Sequence, residues 1–595
     1  MVNDHNRVST ICNLPKFSNL HLQSDLNPFS LSTSSKNNKP DSFINNRSLP
    51  KNSECHLLGA IPIMSATPIP EDFSILGGYN QHPMSSNRIR LSEFPSTFWS
   101  VNTMEIFERM AWYGFFAVSS LYITGAVGDG GLGFSDEDRG VLQGVVTFFL
   151  YLFPVVTGAL ADRYGYKRML FAAFLVLVPA YLLLGQFKTF PTFFLAFLLV
   201  ALGAAMFKPV VIGTISRVTN DRTASMGFGI FYMMVNIGGF VGPIVAGIVR
   251  GWDWSYVFIA SAIWISVNFI ILAFFFKEPT QESQSANPRS LKKVMSDMVE
   301  VLGNGRFFLF VFGLLTVLVM GSKFTSDGSF TWTHILIFIA VWVAANVVAD
   351  MAIRTSKFKS GSWYLQPMKL GDWRFGLFLL IMSGFWTCFN QLFYTLPLHI
   401  RDFTDTSDLM TGFTGILNGV GLTGAANWVN TSMVNEGQIN PEYLINFNAG
   451  AIIFFQVLVS YLVTRMKPFT TIFWGVIITI VSFSVLVFGT TGWIVLAGIL
   501  VFSFGEMMAS PKSKEYTGKI APPEKVAMYM GYFYWCVALG NLFGGILSGQ
   551  LYGAMARDMQ RPDLMWAIFA GLAALTAVAV FVYDRRVIRR MPAQR

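Results

Sequence analysis

The chain has 595 residues, 53% of them hydrophobic and only 13% charged, with 57 Phe, a formal net charge of +9 and a mean hydropathy of +0.49. Soluble domains carry about 25% charged residues, so this composition excludes an ordinary soluble protein and indicates a polytopic helical membrane protein. The positive balance is what Lys- and Arg-rich loops on one membrane face produce, and nucleic-acid binding is not expected from it.

Residues 1–92 are rich in Ser, Asn and Pro, contain no continuous apolar run of the secretory type, and read as a disordered polar tail. A start further along, at Met64 or Met84, is the alternative. Beyond the tail, apolar runs of spanning length (roughly 17–25 residues) follow at 97–124, 139–161, 168–187, 190–216, 224–249, 255–276, 306–322, 331–353, 373–398, 444–466, 470–489, 491–511, 524–552 and 563–583. The interval 399–443 is too long for a turn, and its Gly and Asn content suits an amphipathic or re-entrant piece. Arg163, Lys167, Arg168, Lys292, Lys293, Arg354, Lys512, Lys514 and the C-terminal arginines fall in loops on one side, whereas Asp136, Glu137, Asp138, Asp402, Asp405 and Asp408 fall on the other. The positive-inside rule then predicts both termini in the cytoplasm.

The first span is anomalous. Glu105, Glu108 and Arg109 lie within five residues of one another, and each unpaired charge at a helix centre costs roughly 2.5–3.5 kcal/mol. With Trp112 and Phe116 they fall at helical spacing on one stripe, which predicts that the stripe faces a bundle interior or a water-filled cavity. Lys208 in the fourth span and Glu506 in the twelfth are also embedded in apolar sequence, and lie at similar depth to Arg109, within about 8 Å of the midplane at 1.5 Å per residue. Arg109 and Lys208 against Glu105, Glu108 and Glu506 leave one excess negative charge, which one bound proton would neutralise. None of the six histidines lies in the first six spans, so a histidine relay there is excluded. Cys12, Cys55, Cys388 and Cys536 form neither a disulfide framework nor a metal-ligand spacing, and no H-E-x-x-H or G-x-S-x-G is present, so no metal and no enzymatic activity are expected.

Several motifs follow in order. Gly158-Ala159-Leu160-Ala161-Asp162-Arg163-Tyr164-Gly165-Tyr166-Lys167-Arg168 resembles the loop between helices 2 and 3 of major facilitator superfamily transporters, G-x-x-x-D-R-x-G-x-[KR]-[KR]. Glu105 to Gly114 resembles the E-x-x-E-R-F-x-x-Y-G motif of the proton-dependent oligopeptide transporters, with Met110 in place of the Phe. Phe207-Lys208-Pro209, the run Phe231 to Gly238 containing Asn236, and Glu506-Met507-Met508-Ala509-Ser510-Pro511 are similar to further signatures of that family. The resemblance covers about residues 95–585. It implies an all-α major facilitator fold of about fourteen transmembrane helices. An N-terminal six-helix bundle (93–280) and a C-terminal one (371–590) would flank two extra helices within 281–370, as in prokaryotic members.

The resemblance also implies roles. Arg109 and Lys208 would hold a peptide carboxylate, Glu506 the amino end, and Glu105 and Glu108, with Arg109, the proton. Tyr113, Asn236 and Asn448 would line the cavity, and Asp162, Arg163, Lys167 and Arg168 would form a cytoplasmic gate. The proton is the coupling ion and no other cofactor is expected. A short peptide or organic anion, the lipid bilayer and no nucleic acid are the expected partners of a monomer in the plasma (bacterial inner) membrane. Two positions depart from the pattern: Asn390 occupies the acidic gate position in Phe385-Trp386-Thr387-Cys388-Phe389-Asn390-Gln391, and Phe116 replaces a cation many members carry. A proton-coupled symporter of di- and tripeptides is therefore expected, with a non-peptide organic anion or amphiphilic metabolite as the alternative cargo.

Overall fold

The computed structural model describes residues 90–220, 222–279, 302–325, 330–355, 362–435, 437–521 and 526–588. The expected tail at 1–92 lies almost wholly outside them. Fourteen long helices stand among the described residues: α1 Ser96–Thr124, α2 Asp136–Tyr164, α3 Tyr166–Gln186, α4 Phe190–Val218, α5 Ala224–Arg250, α6 Ser255–Phe274, α7 Gly305–Thr325, α8 Trp332–Thr355, α9 Trp373–Phe403, α10 Pro441–Leu462, α11 Pro468–Leu486, α12 Gly492–Ile520, α13 Val526–Leu551 and α14 Pro562–Tyr583. Thirteen are apolar enough to span a bilayer on hydropathy alone. The other is α1, which carries Glu105, Glu108 and Arg109.

Two hydrophobic cores organise the bundle. One is built almost entirely from α1 to α6, with large side chains such as Phe98, Phe174, Phe197 and Phe207 fully enclosed, and the other from α9 to α14, around Phe378, Phe483, Trp566 and Phe569. The chain thus forms two six-helix bundles plus two inserted helices. The inserted pair, α7 and α8, packs on itself and, through α7, against α2 and α13, and each of the two buries only 11% of its most apolar window. Faces so apolar and so exposed are suited to lipid.

Breaks in the helices follow from sequence. In α2 Pro154 lacks an N–H and interrupts the ladder after Leu152. α9 breaks at Asn390, where the Asn390 amide donates to the Trp386 carbonyl (2.8 Å) and the Gln391 amide to that of Thr387 (2.8 Å). The Trp386 carbonyl also accepts from the Asn390 backbone N–H (3.1 Å), so these side chains add bonds to the turn at the break. The interval after α9 holds two short helices, Ser407–Gly419 and Thr423–Ser432, and a hairpin pairing Val434–Asn435 with Gln438–Ile439. Ser407–Gly419 buries Leu409 and Met410, while its apolar Phe413 and Ile416 stay exposed.

Two boundaries differ from expectation in ways that matter. α2 begins at Asp136, not 139, because Ser135 caps it by accepting a bond from the Asp138 amide (3.1 Å). The acids predicted as loop residues are therefore its first turn, and Arg139 is buried inside the bundle. α12 runs nine residues past its predicted end at 511, carrying Pro511 within it, so Lys514 belongs to a helix face and not to a loop.

Candidate functional site

A cavity of about 280 Å3 lies between the two bundles, lined from one side by Glu105, Arg109, Tyr113, Tyr151, Lys208 and Asn236, and from the other by Trp386, Asn448, Glu506, Ser510, Lys514 and Tyr534. Close helix packing sets the first wall. A Cβ built on Gly238 of α5 would meet the Cβ of Arg109 at 2.6 Å, so only glycine lets α5 approach α1 this tightly.

The expected stripe on α1 splits in two. Glu105, Arg109, Tyr113 and Ala117, four residues apart, face the cavity. Glu108, Trp112 and Phe116 turn into the first bundle, where Trp112 stacks on Phe116 at 5.0 Å and Phe116 reaches Tyr394 of α9 at 5.7 Å. A helix turns 100° per residue, and a stripe containing both i+3 and i+4 steps is wide enough to straddle a boundary. Arg109 sits between the two carboxylates: its Nε donates to Glu108 Oε2 (2.6 Å) and lies 3.3 Å from Glu105 Oε1. Its guanidinium also lies 5.7 Å from the centre of the Tyr113 ring.

Lys208 has no ion pair among the described residues, and its ammonium lies 4.5 Å from the centre of the Tyr151 ring. Tyr151 stacks in turn on Tyr534 of α13 at 6.2 Å, so this aromatic pair carries the lysine's contact across to the second bundle. Asn390 makes no such contact: it is buried in the α9 break and does not line the cavity. On the opposite wall the Asn448 amide donates to Glu506 Oε2 (2.9 Å) and Ser503 Oγ (3.0 Å). Asn236 lines the cavity with its amide donating to the Tyr232 carbonyl (2.7 Å).

The extension of α12 corrects the charge balance. Lys514 joins Arg109 and Lys208 as lining cations against Glu105, Glu442 and Glu506; with Glu108 on Arg109 and Arg250 on Glu442 counted as well, four cations stand against four acids and the predicted excess negative charge disappears. The signal was present in the spacing, since Glu506, Ser510 and Lys514 lie four residues apart and so share a face.

At the Arg163 end of the bundle two of the expected gate residues, Asp162 and Lys167, bond to residues outside their own helices. Asp162 accepts from Arg217 of α4 (2.9 Å) and from the Tyr166 hydroxyl (3.1 Å), and Glu278 accepts from the Tyr166 and Lys167 amides (2.6 and 2.8 Å). Arg163 lies over Tyr164, and Arg168 is exposed. At the opposite end, residues not singled out from sequence join the bundles. Arg139 donates to the Tyr394 carbonyl (2.9 Å) and Ser548 Oγ (3.0 Å). Arg250 of α5 grips Glu442 of α10 with two bonds (2.6 and 3.0 Å). Glu442 lines the central cavity and Arg250 lines a second one of about 970 Å3, so their ion pair stands between the two.

Two helical bundles enclosing a charged cavity at mid-depth define a multi-pass membrane carrier. The chain belongs to the Major Facilitator Superfamily, whose family model matches residues 103–439 and 442–594. It is 24% identical over 526 residues to the peptide transporter YePEPT of Yersinia enterocolitica, covering 82% of this chain and 93% of that one. It is also 25% identical to dipeptide and tripeptide permease A of Escherichia coli, over 33% of this chain and 39% of the permease. A solved structure of a peptide transporter of the POT family in complex with sulfate superposes with a TM-score of 0.59 at 17% identity, over 83% of this chain and 95% of that one. The resemblance to the proton-dependent oligopeptide transporters thus holds at the level of the superfamily and the fold.

Proposed function

We propose that the chain is a proton-coupled symporter of di- and tripeptides, working by alternating access as a monomer in the plasma membrane with both termini in the cytoplasm. The observation that carries this is the opposite net charge of the two walls of one cavity: Arg109 and Lys208 outweigh Glu105 on the first bundle, and Glu442 and Glu506 outweigh Lys514 on the second. A zwitterionic peptide matches that polarity, its carboxylate toward the cations and its ammonium toward Glu506. Arg109 offers a planar fork and Lys208 a point charge.

Coupling follows from the ion pairs on α1. Two carboxylates share one guanidinium, so a proton taken up by Glu105 or Glu108 leaves Arg109 with a single partner and frees its remaining donors for the substrate. Rocking of one bundle against the other would break the contacts at the Asp136 end and bring the bundles together at the Asp162 end. The test is uptake of dialanine into proteoliposomes. Accumulation that requires an inward proton gradient supports the proposal, and uptake indifferent to collapse of that gradient sinks it.

A non-peptide organic anion is the second reading, favoured by the unpaired Lys208 and by Asn390 in a position where the resemblance implies an acid. Uptake of nitrate, a nucleoside or a dicarboxylate in preference to dialanine would establish it.

A further inference from the structure

We infer that Lys514 is a specificity determinant, selecting short peptides that carry an acidic side chain. The inference rests on the peptide reading above and goes beyond it in naming which peptides. Three observations converge on this one side chain.

First, Lys514 lines the central cavity two turns along α12 from Glu506, with Ser510 between them. Second, it forms no hydrogen bond or ion pair among the described residues. The adjacent acid is already taken, since Glu515 pairs with Lys512 (2.8 Å) and Lys519 (2.5 Å). Third, the other charges of the cavity have fixed partners or a matching substrate end. Arg109 is held by Glu105 and Glu108, and Glu506 accepts from Asn448.

Before a substrate binds, Glu506 is the acid on the same helix face that offsets Lys514, about 12 Å away along the axis at 1.5 Å per residue. When a peptide ammonium engages Glu506, that compensation is spent on the substrate. With the peptide carboxylate on Arg109 and Lys208, Lys514 is left as a cation without a counter-charge in a poorly solvated site. Uncompensated charge in such a site is strongly unfavourable. A neutral dipeptide leaves it so and a basic one adds repulsion. A carboxylate on the side chain of the peptide neutralises it with a charge-assisted hydrogen bond.

The experiment uses the full chain in proteoliposomes, with labelled dialanine as reporter and Ala-Glu, Ala-Gln, Ala-Ala and Ala-Lys as competitors. Ala-Glu and Ala-Gln have nearly the same shape and differ in charge. Wild-type protein should be inhibited by Ala-Glu at about tenfold lower concentration than by Ala-Gln, with Ala-Lys weakest. In Lys514→Gln the Ala-Glu to Ala-Gln ratio should fall close to one, and Lys514→Arg should restore it. The ratio does not depend on how much protein is active, and the wild-type ranking tests the assignment even if a variant fails to fold. Equal inhibition by Ala-Glu and Ala-Gln in wild type, or an unchanged ratio in Lys514→Gln, overturns it. If labelled dialanine does not enter at all, the peptide reading itself falls and the assignment falls with it.

Discussion

The central cavity and the contact between the bundles at the Asp136 end solve the problem of buried polarity in opposite ways. At the contact, charges are matched. Arg250 holds Glu442 with two bonds, Arg139 reaches a carbonyl and a hydroxyl across the interface, and α2 meets α13 through glycines so close that a Cβ on Gly545 would lie 2.5 Å from the Gly140 carbonyl. In the cavity, Lys208 has only an aromatic ring and Lys514 has no polar partner among the described residues. The contact pairs charges across the bundles in this conformation, though Arg139 Nε and Nη2 stay without a hydrogen bond, whereas the cavity leaves two whole cations for something that enters it. Binding and conformational change are therefore assigned to different residues, and variants in the two regions should fail differently.

The largest effect is expected at the carboxylate pair on Arg109, beside the cavity. Glu108→Gln removes one of the two carboxylates on Arg109 and the proton that carboxylate could carry. Gradient-driven accumulation should fall on the order of 100-fold, while counterflow exchange of labelled dialanine persists. Loss of both would mean that Glu108 is needed only for folding.

The contact should show the reverse pattern. Gly545→Val places a branched side chain against the Gly140 carbonyl and Gly144, where no side chain can yield because the neighbours are backbone. The closed arrangement at that end then becomes unfavourable by about 1–3 kcal/mol or more. Exchange and accumulation should drop together, and cysteine probes near Asp129 in the second cavity should label faster. Unchanged labelling would show that the glycine contact does not hold the bundles shut.

Much of the cavity was legible in the sequence because the membrane makes charge conspicuous. Glu105, Arg109, Lys208 and Glu506 stand out as ionisable residues in apolar runs, and the structure brings all four to one cavity, together with Tyr113, Asn236 and Asn448. What was hidden lies at helix ends. Lys514 and Glu442 look like loop residues when a span is judged by apolar length, and Arg139 like the outermost residue of its span, since charged terminal turns of a helix carry the same residues as a loop. Arg250 was hidden for the same reason, and its pairing with Glu442 joins residues 192 positions apart that no local pattern connects. The split of the α1 stripe needed knowledge of where α5 and α9 pack, which periodicity on one helix does not contain.

A smaller effect separates the ion pair from the glycines. The Glu442 side chain is fully buried and that of Arg250 is 18% exposed, so Arg250→Met leaves a buried carboxylate without its partner. The cost should be about 3–5 kcal/mol in the closed state, read as a lower thermal midpoint in detergent. The double variant Arg250→Met, Glu442→Leu should recover most of that loss, because a well-packed apolar pair can replace an ion pair. A double variant no more stable than the single one would point to a role for Glu442 in the cavity beyond its pairing with Arg250.

The smallest effect lies at the rim of the same end and tests how far its matched polarity extends. Asp405 sits between α9 and the short helix Ser407–Gly419, where its carboxylate accepts from the Ser407 amide (3.0 Å) and the Gln438 side chain (3.0 Å). These bonds, those of Ser407 and then Gln438, favour the ionised form and hold its pKa down at about 2. A carboxylate whose folded pKa is depressed contributes stability that is present above its unfolded value, about 3.9, and is lost as pH falls through the folded one. The contribution should therefore disappear between about pH 4 and pH 2. Because Asp405 is exposed, the effect should be local: amide exchange should accelerate at Ile439, whose N–H donates to Thr406 Oγ1 (2.8 Å), while the helices of the two bundles stay protected. Asp405→Asn should flatten that pH dependence. Acceleration spreading into α9 and α10 over the same range would show that the rim and the contact between the bundles open as one unit.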